Sequence, residues 1–114
     1  MSDNQVLTPI LPCNDLVVSK AFYMKLGFKV YHEQDGYIIF GHDNGAALHL
    51  TRAVEGWLVP GRNPFGMYLY VENVDELAAA VGATGEDKPW GMYEAIVSDP
   101  DETLIRIGWP TSKR

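Results

Sequence analysis

The chain has 114 residues, 46% of them hydrophobic and 21% charged, which is typical of a single globular domain over residues 1–114. No stretch approaches the roughly 20 apolar residues of a membrane span, and the first residues lack the pattern of a signal peptide. The net charge is −6, with no Lys/Arg cluster beyond the terminal Ser-Lys-Arg, so nucleic acid is not expected as a partner. Such acidity favours a cationic partner or serves only solubility. The single cysteine, Cys13, excludes an intrachain disulfide and favours a reducing cytoplasm.

The first half of the chain predicts one strand, one helix and three further strands. The first strand covers residues 7–12 and ends at Pro12. The helix has Asn14 or Asp15 as its N-cap and Gly27 as its stop signal. Its apolar residues at three- and four-residue spacing predict the buried face, namely Val18, Ala21, Phe22 and Leu26. The three strands follow, separated by tight turns, at residues 28–33, 37–42 and 46–51.

The second half repeats this order after a Gly/Pro-rich connector over residues 52–65. A strand at residues 66–71 comes first, and Asn73 with Glu76 forms a capping-box pattern that opens a short helix. The remaining residues supply further strands. The repeat is visible in LPCNDL against YVENVDEL, where a strand end runs through Asn into a helix. The sequence therefore predicts an α+β domain of two repeats, at about residues 7–51 and 66–108.

Two longer segments carry a family resemblance. They are TPILPCNDLVVSKAFYMKLGF, residues 8–28, and KPWGMYEAIVSDPDETLIRIG, residues 88–108. With the doubled repeat they resemble the vicinal oxygen chelate superfamily of glyoxalase I, extradiol dioxygenases and bleomycin resistance proteins, and the bleomycin resistance proteins above all. The resemblance implies two βαβββ repeats that form a cupped half-barrel sheet in a domain-swapped homodimer. It also implies that Pro12 or Pro9 is the hinge of the exchanged N-terminal strand.

Metal-dependent members of this superfamily carry ligands at four positions that face into the cup, usually two His and two Glu. The resemblance places these positions at Thr8, His49, Gly66 and Arg106. Only His49 suits a divalent ion, because Gly66 has no side chain, Thr8 is a poor donor and Arg106 is a cation. One ligand is too few for a metal site. We therefore expect no metal and no other cofactor.

Other residues give little support to catalysis. His32 and Glu33 are adjacent and point to opposite faces of a strand, so together with His42 they indicate a solvated hairpin rim. His49 is interpreted as a polar wall residue and ligand contact more readily than as a catalytic base. Cys13 has no base beside it in sequence and is interpreted as a structural thiol. No catalytic residue is therefore predicted.

The lining of the cup is predicted by the alternation of side chains along a strand. If Gly66 faces the cup, Tyr68 and Tyr70 face it as well. The same rule adds three polar candidates for ligand contact, which are His49, Thr51 and Arg106. The alternative is that the two tyrosines pack a helix against the sheet. A concave surface of this mixed polarity is typical of a site for a large, partly aromatic molecule.

An aromatic clamp is implied by the resemblance. In bleomycin resistance proteins, a loop Trp and an aromatic residue of the second hairpin sandwich the flat bithiazole of the drug. These roles fall here on Trp90 and Tyr37. Stacking of a planar group on an aromatic ring contributes ~1–3 kcal/mol. The alternatives are a hydrophobic plug over the core edge for Trp90 and an ordinary strand position for Tyr37.

The charge pattern gives a mixed indication. An acidic protein attracts the cationic tail of bleomycin-type drugs, whereas Arg106 inside the cup opposes a cation. Residues that are candidates to meet the tail are Glu33, Asp35 and Glu94. In the connector, Trp57 and Leu58 belong either to a dimer interface or to a surface loop with incidental apolar residues.

The leading hypothesis is a cytoplasmic homodimer that sequesters a bleomycin-family antibiotic stoichiometrically and changes no bonds. Two alternatives stay open. One is an enzyme of the same superfamily, of lyase, isomerase or dioxygenase type, with displaced metal ligands. The other is a binder of a different aromatic small molecule. Neither nucleic acid nor a membrane is expected as a partner.

Overall fold

The computed structural model describes residues 6–114, which form two similar α+β units. The first unit contains a four-stranded sheet in the order β1-β4-β3-β2, with β1 parallel to β4 and the other neighbours antiparallel. Its elements are β1 (Ile10–Cys13), α1 (Leu16–Lys25), β2 (Lys29–Gln34), β3 (Tyr37–Gly41) and β4 (Ala47–Arg52).

The second unit has the same topology, with strand order β5-β8-β7-β6 and β5 parallel to β8. Its elements are β5 (Gly66–Tyr70), α2 (Val74–Ala80), β6 (Glu86–Asp87), β7 (Met92–Ser98) and β8 (Leu104–Pro110). Short 3₁₀ turns lie at Pro60–Arg62 and Thr111–Lys113. The predicted α+β fold of two βαβββ repeats is thereby confirmed. Neither helix has the length and apolar content needed to cross a membrane.

The first strand differs from the prediction at both ends. It begins at Ile10 instead of residue 7, and it continues through Pro12 to Cys13. Proline is tolerated there because β1 is an edge strand, where the missing N–H removes no bond of the sheet. Pro12 lies opposite Thr51 in this strand, whereas Pro9 immediately precedes it and its carbonyl accepts from the His49 N–H (3.0 Å).

The buried face of α1 was predicted in part: Leu26 is buried and Phe22 packs against the core, but Val18 and Ala21 are exposed. Asp15 is the N-cap, and its carboxylate accepts from the N–H groups of Val17 and Val18. The fully buried residues of the helix are Ser19 and Tyr23, whereas Val18 is 49% exposed. Positions 19, 23 and 26 also follow helical spacing, but two polar hydroxyls disguise this stripe as a solvent face. Tyr23 is buried because its hydroxyl finds a partner inside the protein.

The capping box predicted for α2 does not form. Asn73 is at the N-cap position, but its side chain makes no bond to the first helical N–H groups. Instead its amide group donates to the carboxylate of Glu76 at 3.4 Å. The helix ends at Ala80, two residues before Gly82, whose φ of +76° is easily adopted only by glycine.

A single cluster of buried apolar side chains runs through both units. Helices α1 and α2 cover one face of the sheets, and polar contacts of the Asp-Pro-Asp turn join the units. The Tyr23 hydroxyl donates to Oδ2 of Asp99 at 2.6 Å, and the Asn14 amide donates to Oδ1 of Asp101 at 2.9 Å. Cys13 is buried in the cluster, where desolvation raises the pKa of its thiol to about 11. A thiol protonated at neutral pH is a poor nucleophile.

Candidate ligand-binding site

The sheet of the second unit leaves its helix-free side open to solvent, and we call this side the second-sheet face. The register pairs Tyr68 with Arg106 and Glu94 with Gly108, so side chains at alternate positions point to one side. The residues of this face are Tyr68, Tyr70, Glu94, Ile96, Leu104 and Arg106. Leu69 and Ile107 belong to the opposite side, which packs into the core. The two tyrosines therefore do not pack a helix against the sheet.

Glu94 is the centre of a polar cluster on this face. Its side chain is 0% exposed. The hydroxyl of Tyr68 and the indole N–H of Trp90 donate to its Oε1, at 2.7 and 3.3 Å. The guanidinium of Arg106 donates to its Oε2 at 3.1 Å. Three donors compensate a carboxylate that would be costly to bury alone.

The cluster depends on space that a glycine provides. Gly108 lies opposite Glu94, and a Cβ atom at this position would be 2.1 Å from the Tyr68 hydroxyl. Burial and the neighbouring Glu94 carboxylate raise the pKa of Tyr68, so its hydroxyl stays protonated and donates to Glu94. Glycine at this position therefore allows the phenol to reach the carboxylate.

Trp90 presents a flat surface beside this cluster. It lies in the loop before β7, and Gly91 next to it has a φ of +84°, which turns the chain directly after the ring. The residue is 57% exposed and lies outside the core cluster, which argues against a plug over the core edge. The Arg106 guanidinium lies 5.9 Å from the ring centroid. Nearby on the same face, Tyr68 and Tyr70 stack at a centroid distance of 4.4 Å.

The sheet of the first unit carries a separate group of candidates. Thr51 lies opposite Tyr37, and Ile39 lies opposite His49, so the three predicted residues Tyr37, His49 and Thr51 share one side. A hydrogen bond of 2.5 Å joins the Tyr37 hydroxyl to Nδ1 of His49, and the two rings meet edge to face. Among residues 6–114, no hydrogen bond or ring contact joins this group to the second-sheet face. Tyr37 and Trp90, the two halves of the predicted aromatic clamp, therefore lie on different sheets and make no direct contact within this part of the chain.

A metal centre does not fit the residues at the four superfamily positions. His49 is bonded to Tyr37, Arg106 to Glu94, and Gly66 has no side chain. Thr8 precedes β1 and offers only a hydroxyl. Within the part of the chain that the structure describes, no three His, Cys, Asp or Glu residues are grouped closely enough to hold an ion.

The other polar candidates have partners of their own. Glu33 accepts from the Lys20 ammonium at 2.7 Å, and Nε2 of His42 bonds the carbonyl of Leu26 at 2.8 Å. His32 is exposed on β2 and lies 3.4 Å from the amide oxygen of Gln34. A solvated rim therefore describes His32 and Glu33, whereas His42 is half-buried and packs against the ring of Phe28. Glu94 is also unavailable to a cationic tail, because Arg106 already holds it.

The connector residues Trp57 and Leu58 have opposite environments. Leu58 is buried, and its carbonyl accepts from the Asn14 amide at 2.9 Å. Trp57 is 82% exposed. A cavity of about 430 Å³ lies near α2, away from these connector residues. Its lining includes Lys29, His42 and Glu72. Neither Trp90 nor His49 contributes to that cavity, so it is distinct from the candidate site.

The sequence identified most of the residues on these faces but missed the role of Glu94. Glu94 follows Trp90 by four positions, and the alternation that brings it beside Arg106 is set by pairing between β7 and β8. That register is a long-range property. A sequence signal was nevertheless present, because an acidic residue inside an apolar strand requires a partner.

The profile of the Glyoxalase/Bleomycin resistance protein/Dioxygenase superfamily matches residues 4–107. The chain is 31% identical to the bleomycin resistance protein of Geobacillus stearothermophilus, over 85% of this chain and 90% of that protein. A bleomycin resistance protein of Staphylococcus aureus gives the same values.

Solved structures share the fold. The bleomycin resistance determinant encoded on the transposon Tn5 superposes with a TM-score of 0.78 at 26% identity, covering 94% of this chain and 98% of that chain. A bleomycin-binding protein complexed with bleomycin gives a TM-score of 0.77 at 24% identity, covering 93% and 98%. These similarities in sequence and in fold agree with the doubled βαβββ topology of the chain. This chain belongs to the glyoxalase/bleomycin resistance protein/dioxygenase superfamily.

Proposed function

We propose that this protein binds a bleomycin-family antibiotic stoichiometrically and sequesters it, without a metal ion and without changing its bonds. The observation that carries the proposal is the Trp90 ring. It is more than half exposed, yet its indole N–H is held by a buried carboxylate. A fixed, solvent-facing aromatic plane is suited to stacking on a flat group of a ligand.

Similarity to named relatives supports the antibiotic class. The chain matches bleomycin resistance proteins at 31% identity over most of both lengths. The residues proposed to contact the ligand are Trp90, Tyr37, Tyr68, Tyr70, Thr51, His49 and Arg106. The rings of this set offer planar surfaces, and its hydroxyl, imidazole and guanidinium groups offer hydrogen bonds to a large polar molecule.

The charges of the site agree with a cationic ligand. The positive charge of Arg106 alone would repel a cationic ligand. The Glu94 carboxylate, 3.1 Å from the guanidinium, neutralises that charge. The net charge of the chain is −6 and attracts a positively charged molecule over a longer range. Asp35, in the turn after β2, is exposed, and its one ion pair among residues 6–114 is with the exposed Arg52. Its carboxylate is therefore accessible to a cationic tail.

We also propose a homodimer in the cytoplasm, where the single cysteine stays reduced. Both open faces carry exposed apolar side chains, among them Ile10 and Tyr31 on the first sheet and Ile96 and Leu104 on the second. The halves of the aromatic clamp lie on different sheets, and we propose that a second copy brings them to opposite sides of one ligand. Leu7 is 95% exposed just before β1, and we propose Pro12 or Pro9 as the hinge of an exchanged N-terminal strand.

The dimer is tested by sedimentation equilibrium. We expect the mass of two chains, because apolar faces of this kind are covered by a partner in stable assemblies. Replacing Ile96 with Lys, which places a charge on the second-sheet face, should shift the equilibrium towards single chains. A wild-type protein that sediments as a single chain at all concentrations contradicts the dimer and the two-chain clamp.

The binding function is tested by titrating the purified protein with metal-free and with copper-loaded bleomycin. We expect saturable quenching of Trp fluorescence at micromolar drug or below, since the drug stacks directly on Trp90. Calorimetry in parallel reports binding independently of any absorption by the drug. If neither fluorescence nor heat changes with either form of the drug, the proposed function is wrong.

A further inference from the structure

Glu94 combines full burial with contacts to three residues of the proposed ligand surface. It is fully buried, and it touches the stacking ring, the neighbouring phenol and the cation of the second-sheet face at the same time. A second acidic residue on this side of the described sheet is Glu86, which lies opposite Glu94 in β6. Glu86 is exposed and bonded to Lys88. Each of these two carboxylates therefore has a cationic partner, Arg106 for Glu94 and Lys88 for Glu86.

The two members of the Glu94–Arg106 pair differ in exposure. The Arg106 side chain is 38% exposed and lies beside the Trp90 ring, whereas Glu94 is buried beneath both. A ligand that stacks on Trp90 therefore meets the guanidinium first, with the carboxylate directly behind it. Without the carboxylate, a ligand would meet an uncompensated cation at short range.

We infer that Glu94 is a positioning residue that sets the charge class of the ligand. Its carboxylate fixes the indole of Trp90 and compensates Arg106, so that the face accepts planar aromatic groups that are neutral or positively charged and disfavours anionic ones. The inference rests on the proposed function only in taking the second-sheet face as a ligand surface. It does not require the ligand to be bleomycin.

The variants that test this inference form a charge cycle. Glu94→Gln keeps an acceptor for Tyr68 and Trp90 but removes the charge that compensates Arg106. The double variant Glu94→Gln with Arg106→Gln makes the pair neutral again. Glu76→Gln is the matched control, because Glu76 is an exposed residue of α2 on the helix side and loses the same unit of charge.

The probes are two planar acridines that differ in charge, the cation 9-aminoacridine and the anion acridine-9-carboxylate. We expect the wild-type protein and the Glu76→Gln control to bind the cation more tightly. Glu94→Gln should shift the ratio of the two affinities by about tenfold or more towards the anion. The double variant should return the ratio towards the wild-type value, which a merely structural role of Glu94 would not do.

A readout without ligand accompanies the titrations. The protein contains three Trp residues, and the indole N–H signal of Trp90 in a ¹⁵N-correlation spectrum is assigned by its loss in Trp90→Phe. We expect Glu94→Gln to move this signal and to leave the other two in place. An unmoved Trp90 signal, or a wild-type protein that fails to prefer the cationic acridine, overturns the inference. If bleomycin does not bind but the acridine ratios behave as expected, the proposed function fails and the inference stands.

Discussion

Replacing Asp99 with alanine is expected to lower the free energy of unfolding by about 3–4 kcal/mol. The Asp99 carboxylate is buried and accepts from the Tyr23 hydroxyl at 2.6 Å and from the N–H groups of Asp101 and Thr103 at 2.8 and 2.9 Å. Alanine leaves three buried donors without an acceptor, and their desolvation is then uncompensated. Urea unfolding followed by circular dichroism measures the change, at equal protein concentrations because a dimer couples folding to association.

Two further variants serve as references for the loss of unfolding free energy in Asp99→Ala. Asp99→Asn retains an oxygen for the two backbone donors and should cost about 1–2 kcal/mol. Asp43→Ala removes an exposed carboxylate that pairs with the exposed Lys29, and it should change stability by less than about 1 kcal/mol. An Asp99→Ala protein as stable as Asp43→Ala would show that the Asp-Pro-Asp turn does not hold the two units together.

Replacing Trp90 with alanine is expected to weaken bleomycin binding by about 1–3 kcal/mol, which is roughly 5- to 150-fold in affinity. The substitution removes the exposed ring that we propose stacks on the drug. The fold should survive, since Trp90 lies on a loop outside the buried core cluster. Calorimetric titration measures the affinity, because the fluorescence signal is lost with the ring.

Trp90→Phe serves as the matched variant. Phenylalanine keeps an aromatic plane but cannot donate to Glu94, so its affinity should lie between those of the wild type and Trp90→Ala. Melting curves of the three proteins exclude a loss of fold as the cause. Equal affinity of all three for bleomycin would mean that Trp90 is not part of the binding surface.

The repeat was predictable because its signals are local. A strand running through Asn into a helix occurs in both units, and the tight turns and the Gly27 helix stop of the first unit are also signals carried by a few neighbouring residues. The second helix was found for the wrong reason, since Asn73 does not cap it. Its existence depends on Val74 and Leu77, which pack into the core.

The errors concern polar residues that the protein buries. Ser19 and Tyr23 made the buried stripe of α1 look like a solvent face, because Tyr23 has its partner Asp99 far along the chain. The sequence alone predicts Glu94 to be an accessible carboxylate, because Arg106 and Tyr68 reach it only through the pairing of β8 with β7 and with β5. In both cases the deciding contact joins distant segments, and helical or strand periodicity carries no information about it.

The candidate site was predicted only in part, because contacts between distant segments again decide how its residues come together. Alternation placed Tyr68, Tyr70 and Arg106 on one side of a sheet, and His49 and Thr51 on one side of another. The alternation of side chains does not predict how the faces of the two sheets are placed relative to each other. Their roles in binding stay predictions, and so does the meeting of the two faces through a second chain.

The most direct test of sequestration extends the bleomycin titration to the fate of the drug. Protein and drug are mixed across the equivalence point, the bound drug is released by denaturation, and its mass is measured. We predict saturation at one drug molecule per chain and release of bleomycin with its mass unchanged. Failure to saturate, or recovery of the drug with an altered mass in proportion to the protein added, would contradict the account.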